Sequence, residues 1–344
     1  MKRREFVVAL GGAAISAPLD AWAQRTVPIV GVLSPFNNAE STLLADFRAG
    51  LREYGYVDGQ NLRIEYRSAE GRLELLPDLI SDLLSRNADV IVTSSAPAIQ
   101  AARQATSKTP IVFARVGDAL NQGIVTSLAH PGGNMTGISW FAPELTGKIL
   151  SILKEAFPAM SHVAIFREAA AGAASAIAAN LAAQRLGLKA QIFQARTPDE
   201  LEGAFSGMAD AQVDSLVVLE GVMIFNNAKA IAALAGKLRL PAIFFDAGFV
   251  DAGGLLSYGP DFSEMHRRTA YFVDRILRGS KPGDLPVEQP TKFDLVINVA
   301  TATKLGLTMP PALLLRADRV VDYPRKVRLI LAFHFTKMIS GSPS

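Results

Sequence analysis

Cysteine is absent from all 344 residues. With no thiol there is no disulfide framework, no thiolate metal site and no cysteine to accept a lipid anchor. Histidine is scarce as well: His130, His162, His266 and His334 fall at no ligand spacing, so no metal centre or other cofactor is expected, and each reads as a surface or capping histidine. Net charge is small, 35 Lys+Arg against 32 Asp+Glu, and lacks the clustered basic face that nucleic acid demands. The apolar run from Phe6 to Ala17 is shorter than the roughly 20 residues of a membrane span.

Enzyme motifs are missing too. The nearest approach to a nucleophile elbow, Gly137-Ile138-Ser139-Trp140-Phe141, lacks the second glycine that allows the sharp turn. Thr146-Gly147-Lys148-Ile149 puts an isoleucine where a phosphate loop needs a metal-binding hydroxyl. No Gly-x-Gly-x-x-Gly occurs, and no catalytic set is assigned.

What is present begins at the N-terminus. Arg3-Arg4 precede a Gly/Ala-rich segment that closes on Ala21-Trp22-Ala23, the order of a twin-arginine export signal cut after Ala23. Removal of residues 1–23 takes Lys+Arg from 35 to 32 and Asp+Glu from 32 to 30, leaving a nearly neutral periplasmic protein. The remaining chain exceeds the roughly 100–150 residues common for one domain, so two domains are expected.

Short apolar runs alternate with amphipathic stretches. Strands are predicted at Ile29–Leu33, Leu62–Tyr66, Val90–Thr93, Ile111–Phe113, Val163–Phe166, Lys189–Phe193, Ser215–Leu219 and Ala242–Phe245. Helices are predicted at Thr42–Tyr54, Leu73–Arg86, Ala174–Arg185 and Asn226–Lys237. Continuous apolar runs mark strands covered on both faces, and strand–helix–strand order means parallel, doubly wound α/β sheets with right-handed crossovers. Chain breaks at Pro131-Gly132-Gly133, at Gly259-Pro260 and along Gly279–Pro290 are candidate crossings between domains.

Several stretches occur in an order that resembles the ABC-transporter substrate-binding protein family, which includes tryptophan- and tyrosine-type periplasmic binders. They are FRAGLREYGYVDGQNL at 47–62, IEYRSAEGRLELLP at 64–77, ATSKTPIVF at 105–113, SLAHPGGNMTGIS at 127–139, GGLLSYGP at 253–260, LPVEQPTKFDLVIN at 285–298 and LLRADRVVD at 314–322. The resemblance implies a type I periplasmic-binding fold: two α/β lobes, joined by three crossing strands, that close over a solute. It places lobe one at 27–140 plus about 258–286, lobe two at 141–257 plus about 287–322, and a C-terminal extension at 323–344. The implied partners are a small organic solute, amino-acid-like or aromatic, and an ABC permease in the inner membrane. The protein is expected to act as a monomer. A ligand sensor or receptor on the same fold, and less readily a periplasmic enzyme, remain as alternatives.

In parallel α/β sheets the ligand lies beyond the carboxyl ends of the strands. That rule selects Ser34, Pro35, Phe36, Ser94, Ser95, Ala96, Gly117 and Asp118 in lobe one, and Arg167, Glu168, Glu220 and Asp246 in lobe two, with Tyr258 as a further aromatic wall. Ser94-Ser95 before a helix offers free N–H groups to an anion. The carboxylates of lobe two are expected to face a cationic group of the solute. Where many relatives carry aromatic-Asn-Pro and Pro-Asp, this chain has Arg167-Glu168-Ala169 and Glu220-Gly221.

Overall fold

Five strands whose residues are mostly apolar lie side by side at the start of the chain in the computed structural model, which describes residues 27–37, 43–140, 143–171 and 173–321. The predicted export signal and the C-terminal extension lie outside the described residues. In chain order the first lobe runs β1 (Ile29–Ser34), α1 (Leu43–Glu53), β2 (Arg63–Ser68), α2 (Leu76–Ser85), β3 (Val90–Thr93), α3 (Ala96–Ala105), β4 (Ile111–Val116) and β5 (Met135–Ser139). All pairings are parallel, in the order β2-β1-β3-β4-β5. β3, β4 and β5 are buried at every residue, which is why β3 and the first half of β4 read as apolar runs without alternation.

The second lobe continues with α4 (Pro143–Ala156), β6 (His162–Glu168), α5 (Ala174–Arg185), β7 (Lys189–Ala195), α6 (Leu201–Asp210), β8 (Ser215–Val218), α7 (Val222–Asn226), α8 (Ala228–Lys237), β9 (Ala242–Phe244), α9 (Ala247–Asp251) and β10 (Leu256–Pro260). α10 (Phe262–Leu277) returns to lobe one, and β11 (Phe293–Asn298), α11 (Val299–Leu305), α12 (Pro311–Arg316) and β12 (Arg319–Val321) end in lobe two. The second sheet is ordered β12-β11-β10-β9-β8-β6-β7. Its run β7-β6-β8-β9-β10 repeats the parallel order of lobe one, and antiparallel β11 extends it.

The chain passes between the lobes three times: after β5, between β10 and α10, and before β11. The third passage is laid along the first by backbone hydrogen bonds, Glu288 N–H to Gly137 O and Ser139 N–H to Glu288 O, both at 2.9 Å. Arg268 on α10 clamps the Glu288 carboxylate at 2.7 and 2.9 Å. α10 itself starts at Asp261, whose side chain accepts the Glu264 N–H at 3.1 Å, and buries Phe262, Met265, His266, Thr269, Phe272, Val273 and Ile276. It lies so close to α1 that a Cβ on Gly50 would stand 2.2 Å from Arg267 O.

Several predicted elements shift. β4 extends three residues beyond Phe113, which brings Arg115 into the strand. The predicted helix over 226–237 is α8, starting two residues later, and the short α7 precedes it without a predicted counterpart. β5, β10, β11 and β12 have no counterpart among the predicted strands; β5 contains Gly137 and β10 ends in Gly259-Pro260, residues that weaken a local strand signal. Of the four histidines, His162 and His266 are buried, each 8% exposed, not superficial.

Candidate functional site

Both sheets point the carboxyl ends of their strands at one another, so the segments after β1 and β2 and the end of β4 meet those after β8 and β9. Arg115, near the end of β4, occupies the meeting place. Its side chain is 5% exposed and donates from Nη2 to Asp246 Oδ2 of lobe two at 3.2 Å. Four phenylalanines surround the guanidinium carbon: Phe262 at 3.6 Å to the ring centroid, Phe225 at 4.3 Å, Phe36 at 5.3 Å and Phe245 at 5.9 Å. Ring faces attract a cation, by about 2 kcal/mol where water is excluded. Burial lowers the guanidinium to about 10 while Asp246 acts to raise it, so the group is charged at neutral pH.

Phe36 belongs to lobe one and Phe225 to lobe two, and their rings meet edge-on at 5.0 Å. Beside them the Asn37 N–H donates to Asn226 Oδ1 at 2.9 Å. Trp140, at the first crossing, stacks on Phe245 at 5.9 Å and meets Phe262 edge-on at 5.4 Å. The two lobes are thus in contact through an aromatic layer with one charge in it.

The predicted site residues divide according to their partners. Ser34 is buried and accepts the Phe36 N–H at 3.2 Å, which sets the turn, and Pro35 O accepts from the Gly71 N–H. Ser34 and Ser94 also line a cavity of about 30 Å³, with Tyr66, Thr93, Ala114 and His266 around it. That volume admits a water molecule. Ser95 precedes α3 with φ +69°, and its Oγ is buried with no partner; Ala96 is exposed. Gly117 O accepts from Ser139 Oγ, and Asp118 is engaged by the Asn121 N–H and side-chain amide at 3.0 and 2.5 Å.

In lobe two, Arg167 turns to its own edge of the sheet. It donates to Gln194 Oε1 at 3.1 Å and to the carbonyls of Ala169 and Ala171, so it shapes the loop after β6. Glu168 is buried against the start of α7, where its carboxylate accepts the Met223 N–H at 2.9 Å. Burial pushes its carboxyl up, opposed by the N–H groups of Met223, Ile224 and Val222. Glu220 accepts from Ser175 Oγ, and burial likewise pushes it up. Asp246 has two tasks: Oδ1 caps α9 through the Gly248 N–H at 2.6 Å, and Oδ2 faces Arg115. Tyr258 goes elsewhere. Its ring lies on Phe293 at 6.0 Å in the β10–β11 ladder, and burial together with Asp318 raises its hydroxyl.

Sequence reasoning missed Arg115, Phe225, Phe245 and Phe262. One signal was available for the first: a lone charge inside the apolar strand Ile111–Val116 is uncommon, because an arginine is seldom fully buried without a partner.

Residues 36–321 match the family model described as ABC transporter substrate binding protein. The chain belongs to that family. Its members are substrate-binding proteins and not enzymes. A tyrosine-binding protein of Clostridioides difficile strain R20291 is 26% identical over 263 residues, 76% of this chain and 75% of the relative. A conserved domain protein of Vibrio cholerae O1 biovar eltor is 27% identical, with a TM-score of 0.80 over 86% of this chain and 99% of its own. An ABC domain from Streptococcus pneumoniae, solved in complex with L-Trp, has the same TM-score and coverages at 24% identity and shares the fold. That fold is the type I periplasmic-binding fold, two doubly wound lobes linked by three crossings.

Among the described residues no three His, Asp or Glu side chains gather to hold a metal, and no helix is long and apolar enough to cross a membrane.

Proposed function

We propose that this protein is the periplasmic solute-binding component of an ABC importer. It captures a small amino-acid-like or aromatic metabolite between its lobes and delivers it as a monomer to a permease in the inner membrane. The observation that carries the reading is the contact of the two sets of strand ends through an aromatic layer, with Arg115 from one lobe paired to Asp246 of the other. A solute in such a cleft touches both lobes, and it favours closure only by its differential affinity for the closed form.

The relatives make aromatic amino acids the first solutes to try, since one is named for tyrosine and another was solved with L-Trp. In a thermal-shift screen, a true solute at about 100 times its dissociation constant stabilises the native state by about 2.7 kcal/mol. Small-angle scattering with that solute should then show a more compact particle, and chromatography of the mixture should return the solute unaltered. A screen without a single shift, on protein freed of ligand by unfolding and refolding, would remove the solute-binding reading.

Export follows the twin-arginine route in this proposal, with cleavage after Ala23. Replacing Arg3 and Arg4 by Lys retains the basic charge and removes the pair that the receptor reads. The precursor should then stay in the cytoplasm, and undiminished periplasmic yield would refute the route.

A further inference from the structure

Arg115 is under-paired for a buried charge. A guanidinium carries five N–H donors in a planar fork, yet the hydrogen bond to Asp246 is single and long at 3.2 Å, and Nη1 is buried without a partner among the described residues. The phenylalanine faces offset the charge, but they take up none of the donors as a carbonyl or carboxylate oxygen would. Nor do the other acids of lobe two help, since Glu168 is held by the Met223 N–H and Glu220 by Ser175. A charged side chain 5% exposed with an idle donor is costly unless something else completes it.

We propose that Arg115 anchors a carboxylate of the solute through its idle Nη1, so that the protein selects small carboxylic acids whose apolar part lies among Phe36, Phe225 and Phe262. The proposal rests on the solute-binding reading and names the anchor and the ligand class within it. A carboxylate fits better than a phosphate because Arg115 is already half-neutralised by Asp246, and Glu168 and Glu220 stand on the same lobe; a second full negative charge would meet repulsion there. The planar match of a carboxylate with a guanidinium adds directional preference. Asp246 Oδ2 stands beside that anchor and would accept from an ammonium on a zwitterionic solute without leaving its cap on α9. In this proposal the anion goes to Arg115, the charged donor between the lobes, in place of Ser94 and Ser95.

The test compares solutes that share a skeleton and differ in one group. L-Tyrosine carries both charges, 3-(4-hydroxyphenyl)propionate keeps the carboxylate alone, and tyramine keeps the amine alone; tryptophan, indole-3-propionate and tryptamine form a second set, and leucine, 4-methylpentanoate and isoamylamine an aliphatic third. Calorimetric titration of the wild-type protein should show at least one acid binding tenfold or more tightly than its amine. Arg115→Lys, which keeps the charge and loses the fork, and Arg115→Met should each weaken that acid by ten- to a hundredfold. An amine that binds as tightly as its acid would overturn the carboxylate anchor while leaving solute binding intact. So would an acid whose affinity stays within twofold in a folded Arg115→Lys protein. If no compound of the three sets binds, the anchor falls, and an unchanged thermal-shift screen over other solute classes then decides the fate of the wider reading. The wild-type comparison stands even where a variant fails to fold.

Discussion

Arg115 of lobe one and Asp246 of lobe two stand 3.2 Å apart, Nη2 to Oδ2, and both are nearly sealed from solvent at 5% and 8% exposure. Removing one member of a buried pair leaves the other uncompensated, typically at about 3–5 kcal/mol. In a hinged molecule that strain has an outlet, since parting the lobes returns the guanidinium to water. Asp246→Asn should therefore enlarge the radius of gyration of the solute-free protein in small-angle scattering. It should lower the melting temperature by less than the full cost of the broken pair implies. Because Asp246 also caps α9, Asp246→Ala should be the more destabilising, by about a further 1 kcal/mol in urea titration. Scattering curves that superimpose for wild type and Asp246→Asn would show that the pair does not hold the lobes.

The same opening is visible optically. The sequence contains 2 tryptophans, and protein produced from Gln24 onward keeps only Trp140, 4% exposed and stacked on Phe245 of lobe two. Parting the lobes removes that stacking partner and admits water. The emission maximum of Asp246→Asn should lie to the red of wild type, and binding of a solute that closes the cleft should move it back. An identical emission spectrum in both proteins would contradict this coupling.

His266 provides a pH dependence. Burial lowers its imidazole from 6.5 to about 4, the carbonyl of Phe262 and the Asp46 carboxylate acting to raise it and Arg115 to lower it further. Between those two values the unfolded chain binds a proton that the folded chain refuses, so stability falls as pH drops through that window and is unaffected above it. The loss amounts to roughly 3 kcal/mol by the bottom of the window. Urea titrations of His266→Gln should show that much less acid sensitivity than wild type between pH 6.5 and pH 4. Parallel stability profiles would show that His266 is not the group responsible.

Gly50 lies where α1 packs directly against the backbone of α10. An added methyl would stand 2.2 Å from the backbone oxygen of Arg267 and 3.0 Å from the Ala270 Cβ, so one helix must move. Gly50→Ala gains helix propensity yet should destabilise lobe one by about 1–3 kcal/mol, as overpacking does. A melting temperature equal to or above wild type would mean that the helices separate at no cost.

Local chemistry reaches some features of this chain and stops short of others. The alternation of apolar runs with amphipathic stretches, the covered strands and the doubling of the α/β pattern arise from residues adjacent in sequence, and so were legible there. β3 coincides with its predicted run, whereas β5 and β10 escaped because Gly137, Gly259 and Pro260 interrupt the local signal and neighbouring strands supply the pairing. The strand-end rule reached Phe36 and Asp246, which lie in the interlobe layer, and it also named Arg167 and Asp118, whose side chains serve their own loops. Position at a strand end says where a residue starts, not which partner its side chain will take.

By itself, then, the sequence determined the two-lobed parallel architecture and which strand ends face each other across the lobes, because helix and strand periodicity and the direction of parallel strands are local properties. Tertiary structure alone decided which side chains meet there. Phe36, Arg115, Phe225, Phe245 and Phe262 come from five separate places along the chain, and no spacing between them encodes their contact. They converge because the lobes close on each other, and a charge that would otherwise remain in water is taken up by four rings and one carboxylate.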